Sequence, residues 1–220
     1  MPSGPAPAER AGGARTRLAP DDRRRQLVGI GLRKFVERPV QELSLDEVAA
    51  EAGVSRGLLF HYFPTKTAYF RAVVAAAERR VLRNVAPGPG MTGDVAVEQV
   101  VRRFVEQVAR RRESYLALVY GRGGLTTEGL GDSARTLRVE LARLVGEALA
   151  LDAAALPVVH GWVAYVEDRA LQWSADGGGD APHPVSDGGG KGDAPDRDAG
   201  AAVLARHCVA ALHALLAPGG

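Results

Sequence analysis

The chain has 220 residues, a single cysteine and only 5% aromatic residues. That length holds one or two domains with a sizeable core. Abundant alanine, leucine, valine and arginine with few β-branched or aromatic runs predict an all-α protein and exclude sheet-based classes. Cys208 alone excludes an internal disulfide and suits a reducing compartment. No apolar run approaches the roughly 18 residues of a membrane span, and the N-terminus lacks the apolar stretch of a secretory signal. A cytoplasmic protein with no membrane partner is expected. The net charge of +2 hides an asymmetry: residues 1–85 carry 15 Lys/Arg against 9 Asp/Glu, whereas residues 86–220 carry 13 against 17. A basic front and an acidic back suit a nucleic-acid reader joined to a domain with another task.

Residues 1–20 are Pro-, Gly-, Ala- and Arg-rich without periodicity and read as a disordered basic tail. Arg10, Arg15 and Arg17 are either solvated or able to follow a minor groove. The first helix is predicted over 21–37, with Asp21 and Asp22 favourable at its start. Leu27, Val28, Ile30, Gly31, Leu32 and Phe35 give it an apolar face for packing on the turn-helix pair. Gly29 and Gly31 weaken it by roughly 1 kcal/mol each relative to Ala. Arg38-Pro39 ends it.

The stretch from Leu43 to Phe70 is the most specific in the chain. Ser44 stands three residues before Glu47, the spacing of a capping box. Leu45, Val48, Ala49 and Ala52 fall on one face of a helix over 45–52. Gly53 stands where a helix end wants positive φ. Ser55 caps a second helix over 56–62 with Leu58 and Leu59 directed inward. Phe60-His61-Tyr62-Phe63-Pro64-Thr65-Lys66 closes that helix with aromatics and opens another, which runs to Val85 with Tyr69, Phe70, Val73, Val74, Ala77 and Val81 inward. Two short helices around a tight turn are the layout of a helix-turn-helix.

These residues, with their spacing, resemble the DNA-binding domain of the tetracycline-repressor (TetR) family of bacterial regulators, over Arg23 to about Val85. The resemblance implies an all-α fold of about nine helices. It places a three-helix helix-turn-helix domain with linking helix 4 in 21–85, then a helical ligand-binding and dimerisation domain in 91–220. Arg56, at the N-terminal end of the second reading helix, would bond a guanine edge, worth roughly 1–3 kcal/mol of discrimination. Gly57 would let backbone approach the bases. Leu58 would touch a thymine methyl or lie in the core. Phe60 departs from the usual tyrosine and loses one phosphate hydrogen bond, while Tyr62 keeps its hydroxyl. His61 is either a surface or a packing residue. Ser44, Ser55 and Thr65 join caps to the interface. Lys66 suits the helix dipole poorly unless a phosphate lies opposite. Pro39 replaces the family's glycine, which implies a changed loop on the same fold.

Pro87-Gly88-Pro89-Gly90 marks the domain boundary. Helical periodicity resumes over 94–112, with Val97, Val100, Val101, Phe104, Val105 and Val108 on one face. Further helices are predicted over 113–120, 132–151, 156–173 and 201–216. The 156–173 segment is apolar around most of its circumference, which implies burial on more than one side. Residues 174–200 are a low-complexity Gly/Asp/Pro segment and read as a disordered loop.

The resemblance implies a homodimer on a palindromic double-stranded operator, with reading helices roughly 34 Å apart and the last two helices paired across the twofold. Leu204, Cys208, Leu212 and Leu215 are its candidate interface. It also implies an unknown small-molecule effector. Phe104, Tyr115, Tyr120, Trp162 and Tyr165 are candidate pocket walls or core, and Glu167, with His160, forms a polar strip on an apolar helix. A repressor released by its ligand is the leading reading; a ligand-responsive activator uses the same binding chemistry. The rival class is a helical enzyme with an unrecognised site. Gly188-Gly189-Gly190-Lys191 lacks the strand, the glycine spacing and the Ser/Thr of a phosphate loop. His160, His183, His207, Cys208 and His213 have no zinc-ligand spacing, and no cofactor is implied.

Overall fold

The computed structural model describes residues 19–37, 43–120, 131–176 and 197–217. Among them nine helices and no strand occur: α1 (Pro20–Glu37), α2 (Leu45–Ala52), α3 (Arg56–Tyr62), α4 (Lys66–Val85), α5 (Gly93–Arg110), α6 (Arg112–Tyr120), α7 (Gly131–Ala148), α8 (Leu156–Ala175) and α9 (Arg197–Leu216). The all-α expectation holds. The altered loop at Pro39, the 1–20 tail before residue 19 and most of the 174–200 loop lie outside the described residues.

α1, α2 and α3 gather at one end of α4. Leu27, Ile30 and Phe35 of α1 and Val48, Ala49 and Leu59 of α2 and α3 are buried with Tyr69, Phe70, Val73 and Val74 of α4. The closest approach falls at Gly31. A Cβ there would lie 2.3 Å from the Tyr69 hydroxyl and 2.6 Å from Val73 Cγ2. The missing side chain lets Tyr69 pass and donate to the Leu27 carbonyl at 2.9 Å. Burial raises the Tyr69 pKa, so the hydroxyl remains a donor. Gly31, expected both on the packing face and as a weak point of the helix, is therefore the site of closest contact, whereas Gly29 faces open space. Charge ties α1 to α2: Arg33 and Lys34 both reach Glu51 at 2.9 Å. The Lys34 hydrogen bond, then that from Arg33, holds the Glu51 carboxyl below its ordinary range.

The buried core continues along α4 into the second half of the molecule. α5 lies at its centre, packed on α8 and α9, with α7 against α8. Its predicted face, Val97 to Val108, is buried throughout. α7 ends three residues earlier than its apolar run suggests. Ala150 takes φ 52°, and Leu151 N–H returns to the Gly146 carbonyl at 2.9 Å. An alanine carries no sequence signal for such a stop. α9 begins four residues earlier than predicted, and Gly200 within it lies against the Trp173 indole, where a Cβ would sit 3.6 Å away. One expectation needs correction: the Ala199–Leu216 stretch of α9 is long and apolar enough to cross a membrane by length and composition, with 28% of it buried. One face of it, Ala201, Ala205, Cys208 and Leu212, is fully buried within the chain.

Substitution at the two α1 glycines will separate them. Gly31→Ala will lower stability by about 1–3 kcal/mol through overpacking. Gly29→Ala will raise it by roughly 0.5–1 kcal/mol, because nothing opposes its Cβ. Urea denaturation followed by far-UV circular dichroism will read both.

Candidate nucleic-acid interface

Three helix starts in the first half are each capped by a hydroxyl. The Ser44 Oγ accepts from Glu47 N–H at 3.5 Å, Ser55 Oγ from Leu58 N–H at 3.2 Å, and Thr65 Oγ1 from Ala68 N–H at 3.0 Å. Between the first two caps the chain turns at Gly53, φ 66°. Gly53 N–H bonds to the Ala50 carbonyl and Val54 N–H to the Ala49 carbonyl, both at 3.0 Å, a Schellman ending. The left-handed residue makes the turn tight, and Leu59, 0% exposed, anchors α3 beneath it.

That anchoring leaves one side of α3 in solvent. Ser55, Arg56, Gly57, Leu58 and His61 are exposed, and Thr65 and Lys66 continue the exposed row. Leu58, read as inward or as a thymine contact, is 38% exposed and faces outward. Helical geometry explains the difference: with Leu59 under the turn, its neighbour is rotated by about 100°. Phe60 and Tyr62 are half-buried. His61 meets the Tyr62 ring edge-on, centroids 5.5 Å apart. The Lys66 ammonium stands 5.1 Å from the Phe70 ring centroid, and no acidic residue occupies its helical turn.

Two partners of these residues escaped the sequence reading. Arg56 does not project freely: its Nη1 lies 2.9 Å and 2.8 Å from the two carboxylate oxygens of Asp46, and its guanidinium stands 5.5 Å from the Phe60 ring centroid. Asp46 sits in the first turn of α2, where a carboxylate also suits the dipole. Only the folded turn brings positions ten apart together. Arg24 is the second. Its guanidinium covers the Phe63 ring at 4.4 Å and donates to the Tyr62 carbonyl at 3.0 Å, so α1 contributes an exposed cation beside the end of α3. The run Arg23-Arg24-Arg25 was its only signal.

The second set of candidates is dispersed. Phe104 and Tyr115 are buried and meet edge-on at 5.6 Å. Trp162 is 2% exposed, and its indole N–H donates to the Cys208 carbonyl at 2.8 Å, tying α8 to α9. Tyr165 is half-buried. The Tyr120 side chain lies outside the described residues. Glu167 is 2% exposed and takes the Arg138 Nε–H at 2.6 Å, a link between α7 and α8; His160 is half-buried. Trp162 is thus a core residue with a satisfied donor rather than an open wall. Among the described residues no group of three His, Cys, Asp or Glu is placed to hold a metal ion.

The expected dimer seam also needs correction. Cys208 and Leu212 are fully buried within their own chain and offer no surface to a partner. Leu204 is half-buried and Leu215 is 56% exposed. The helix is rotated from the expected face because α5 and α8 cover it on one side. The exposed apolar positions of these helices are Leu215, one of the expected set, with Val203 of α9 and Val158 of α8.

Residues 31–73, which hold this turn, match the family of bacterial regulatory proteins, tetR family. An uncharacterized HTH-type transcriptional regulator of Mycobacterium tuberculosis is 32% identical over 134 residues, 58% of this chain and 57% of that protein. The chain thus matches little more than half the length of this relative. The HTH-type transcriptional regulator SrpR of Pseudomonas putida is 25% identical over 53% of this chain and 54% of its own. A tetR-family transcriptional regulator from Streptomyces coelicolor shares the fold with a TM-score of 0.66 at 24% identity, over 90% of this chain and 82% of that one. Motif, fold and matched residues agree: residues 31–73 match the tetR family, and the chain shares its fold with a solved tetR-family regulator.

Cys208 supplies a check on the buried seam. Burial pushes its thiol up to about 11, against a smaller opposing effect of Arg169. The thiolate, the reactive form, is therefore suppressed near neutral pH. Iodoacetamide at pH 8 will leave Cys208 unmodified in the native protein and will alkylate it once urea unfolds the chain, as mass spectrometry will show.

Proposed function

We propose that this chain is a TetR-family, sequence-specific DNA-binding transcription regulator that acts in the cytoplasm as a homodimer on a palindromic operator. The observation that carries the reading is the solvent-facing row Ser55, Arg56, Gly57, Leu58 and His61 on α3, continued by Lys66 and flanked by Arg24. A short helix presenting small and cationic side chains, with capped helix starts beside it, fits a major groove and the phosphates along it. Arg56 is the candidate base reader and Lys66 the candidate phosphate contact, with Tyr62, Thr65 and Ser44 as supporting candidates.

One such head makes few contacts, so the reading needs a second copy. The exposed Val158, Val203 and Leu215 support pairing through α8 and α9. Release by a small molecule, with repression as the outcome, is the preferred regulatory reading; an activator remains the alternative, since it differs in where the operator lies and not in the contacts. An effector can release the operator only by binding the DNA-incompetent state more tightly.

Selection of bound sequences from random duplexes will yield a palindrome; failure to enrich any sequence, with no retention of duplex at low salt, overturns the reading. Lys66→Ala will weaken binding to all duplexes alike and make the salt slope shallower by about 1. Arg56→Ala will instead reduce the preference for the selected site, by up to roughly 1–3 kcal/mol. Fluorescence-anisotropy titrations at two salt concentrations will distinguish the two. Val203→Glu with Leu215→Glu will shift the protein toward monomer in sedimentation velocity.

A further inference from the structure

We propose that the cleft between α1, α4, α5 and α6 is a binding site for an amphipathic organic anion, a carboxylate carrying an aliphatic or aromatic tail. This cleft is separate from most of the aromatic positions singled out in the sequence. It measures about 510 Å³ with its open mouth included. Leu32 and Phe35 of α1, Ala77 and Val81 of α4 and Tyr115 of α6 line it with apolar surface.

The edge of the cleft has the opposite character. Arg80 of α4 and Arg111 at the α5–α6 corner both line it and both are exposed. Neither guanidinium has an ion-pair partner among the described residues, and the carboxylates of the corner are engaged elsewhere. Glu106 lies 3.6 Å from both Arg102 and Arg110, and Glu113 lies 3.4 Å from Arg112. Asn84 Nδ2 donates to Gln107 Oε1 at 3.0 Å across the same edge, which leaves the Gln107 amide hydrogens as further donors. Two guanidiniums and an amide beside an apolar cavity suit a carboxylate head on an apolar tail. A cationic or purely apolar occupant would leave the arginine pair uncompensated.

Position gives the site a consequence. The occupant would touch α1, which carries the reading head through Gly31 and Tyr69, and also α6 of the second half. Only this coupling rests on the proposed function; the binding itself does not.

Isothermal titration of the full chain with octanoate, octanamide and octylammonium, without DNA, tests the site. Octanoate will bind saturably at one site per chain, at least fivefold tighter than octanamide, and octylammonium will not bind. Arg80→Gln with Arg111→Gln will weaken octanoate at least tenfold, while Arg79→Gln, on the same helix but outside the cleft, will leave it unchanged; circular dichroism will confirm that each variant is folded. Equal binding of octylammonium, no saturable binding of octanoate in the low-millimolar range, or an unaffected double variant overturns the proposal. Adding the selected duplex separates the two readings. Octanoate binding without duplex binding sinks the DNA reading and leaves the site. Duplex binding with no octanoate binding sinks the site alone.

Discussion

The packing of α1 on α4 at Gly31 governs the geometry of the first half of the molecule. The backbone of α1 comes close enough for the Tyr69 ring to pass beneath it and for its hydroxyl to reach the Leu27 carbonyl. Tyr69 in turn takes the edge of Phe63, centroids 5.1 Å apart, a contact worth roughly 0.5–1.5 kcal/mol beyond area burial. Phe63 closes α3 and carries the Arg24 guanidinium over its ring. A single chain of contacts therefore runs from the middle of α1, through one tyrosine, to the end of the exposed helix. The angle at which α3 meets solvent follows from a side chain that is missing twenty-five residues earlier.

The same feature shows where sequence reading succeeds and where it stops. Local chemistry was legible: Ser44, Gly53, Ser55 and Thr65 occupy the cap and turn positions their types predict, because capping needs only neighbours within a few residues. The inward faces of α4 and α5 followed from helical periodicity. Relations between helices were not legible. Gly31 was expected on the packing face, but nothing local named Tyr69 as the side chain it admits. Leu58 and Leu59 were indistinguishable until the turn fixed their rotation. Asp46 and Arg56 are polar residues ten positions apart, and nothing local says that they meet. The face of α9 was misjudged for a related reason: an alanine- and leucine-rich helix has apolar residues on every side, so periodicity cannot say which side its own chain covers.

In the second half α5 supplies a valine-rich face to α8 and α9. Two buried or half-buried polar links, Trp162 to the Cys208 carbonyl and Arg138 to Glu167, tie α8 to α9 and α7 to α8, and two exposed ones, His213 to Asp94 and Arg206 to Glu98, tie α9 to α5. The Glu167 carboxylate is costly to bury, and its retention beside one arginine is better understood as fixing how α7 and α8 meet than as adding stability. α8 was expected to be covered on more than one side. Within one chain Val159, Trp162, Val163 and Val166 are covered while Val158 is 37% exposed.

The contact between Asp46 and Arg56 bears on how the proposed reader would tell one duplex from another. A free arginine gains from almost any negative group it meets, which favours indiscriminate attachment. Here one arm of the fork, Nη1, already has two oxygens before any nucleic acid arrives. A lone phosphate exchanges one anion for another and gains little, whereas a guanine edge offers two acceptors in the plane the fork prefers. The carboxylate thus sets a threshold that rewards shape over mere charge, and the reader would be selective because its main recognition group is not idle.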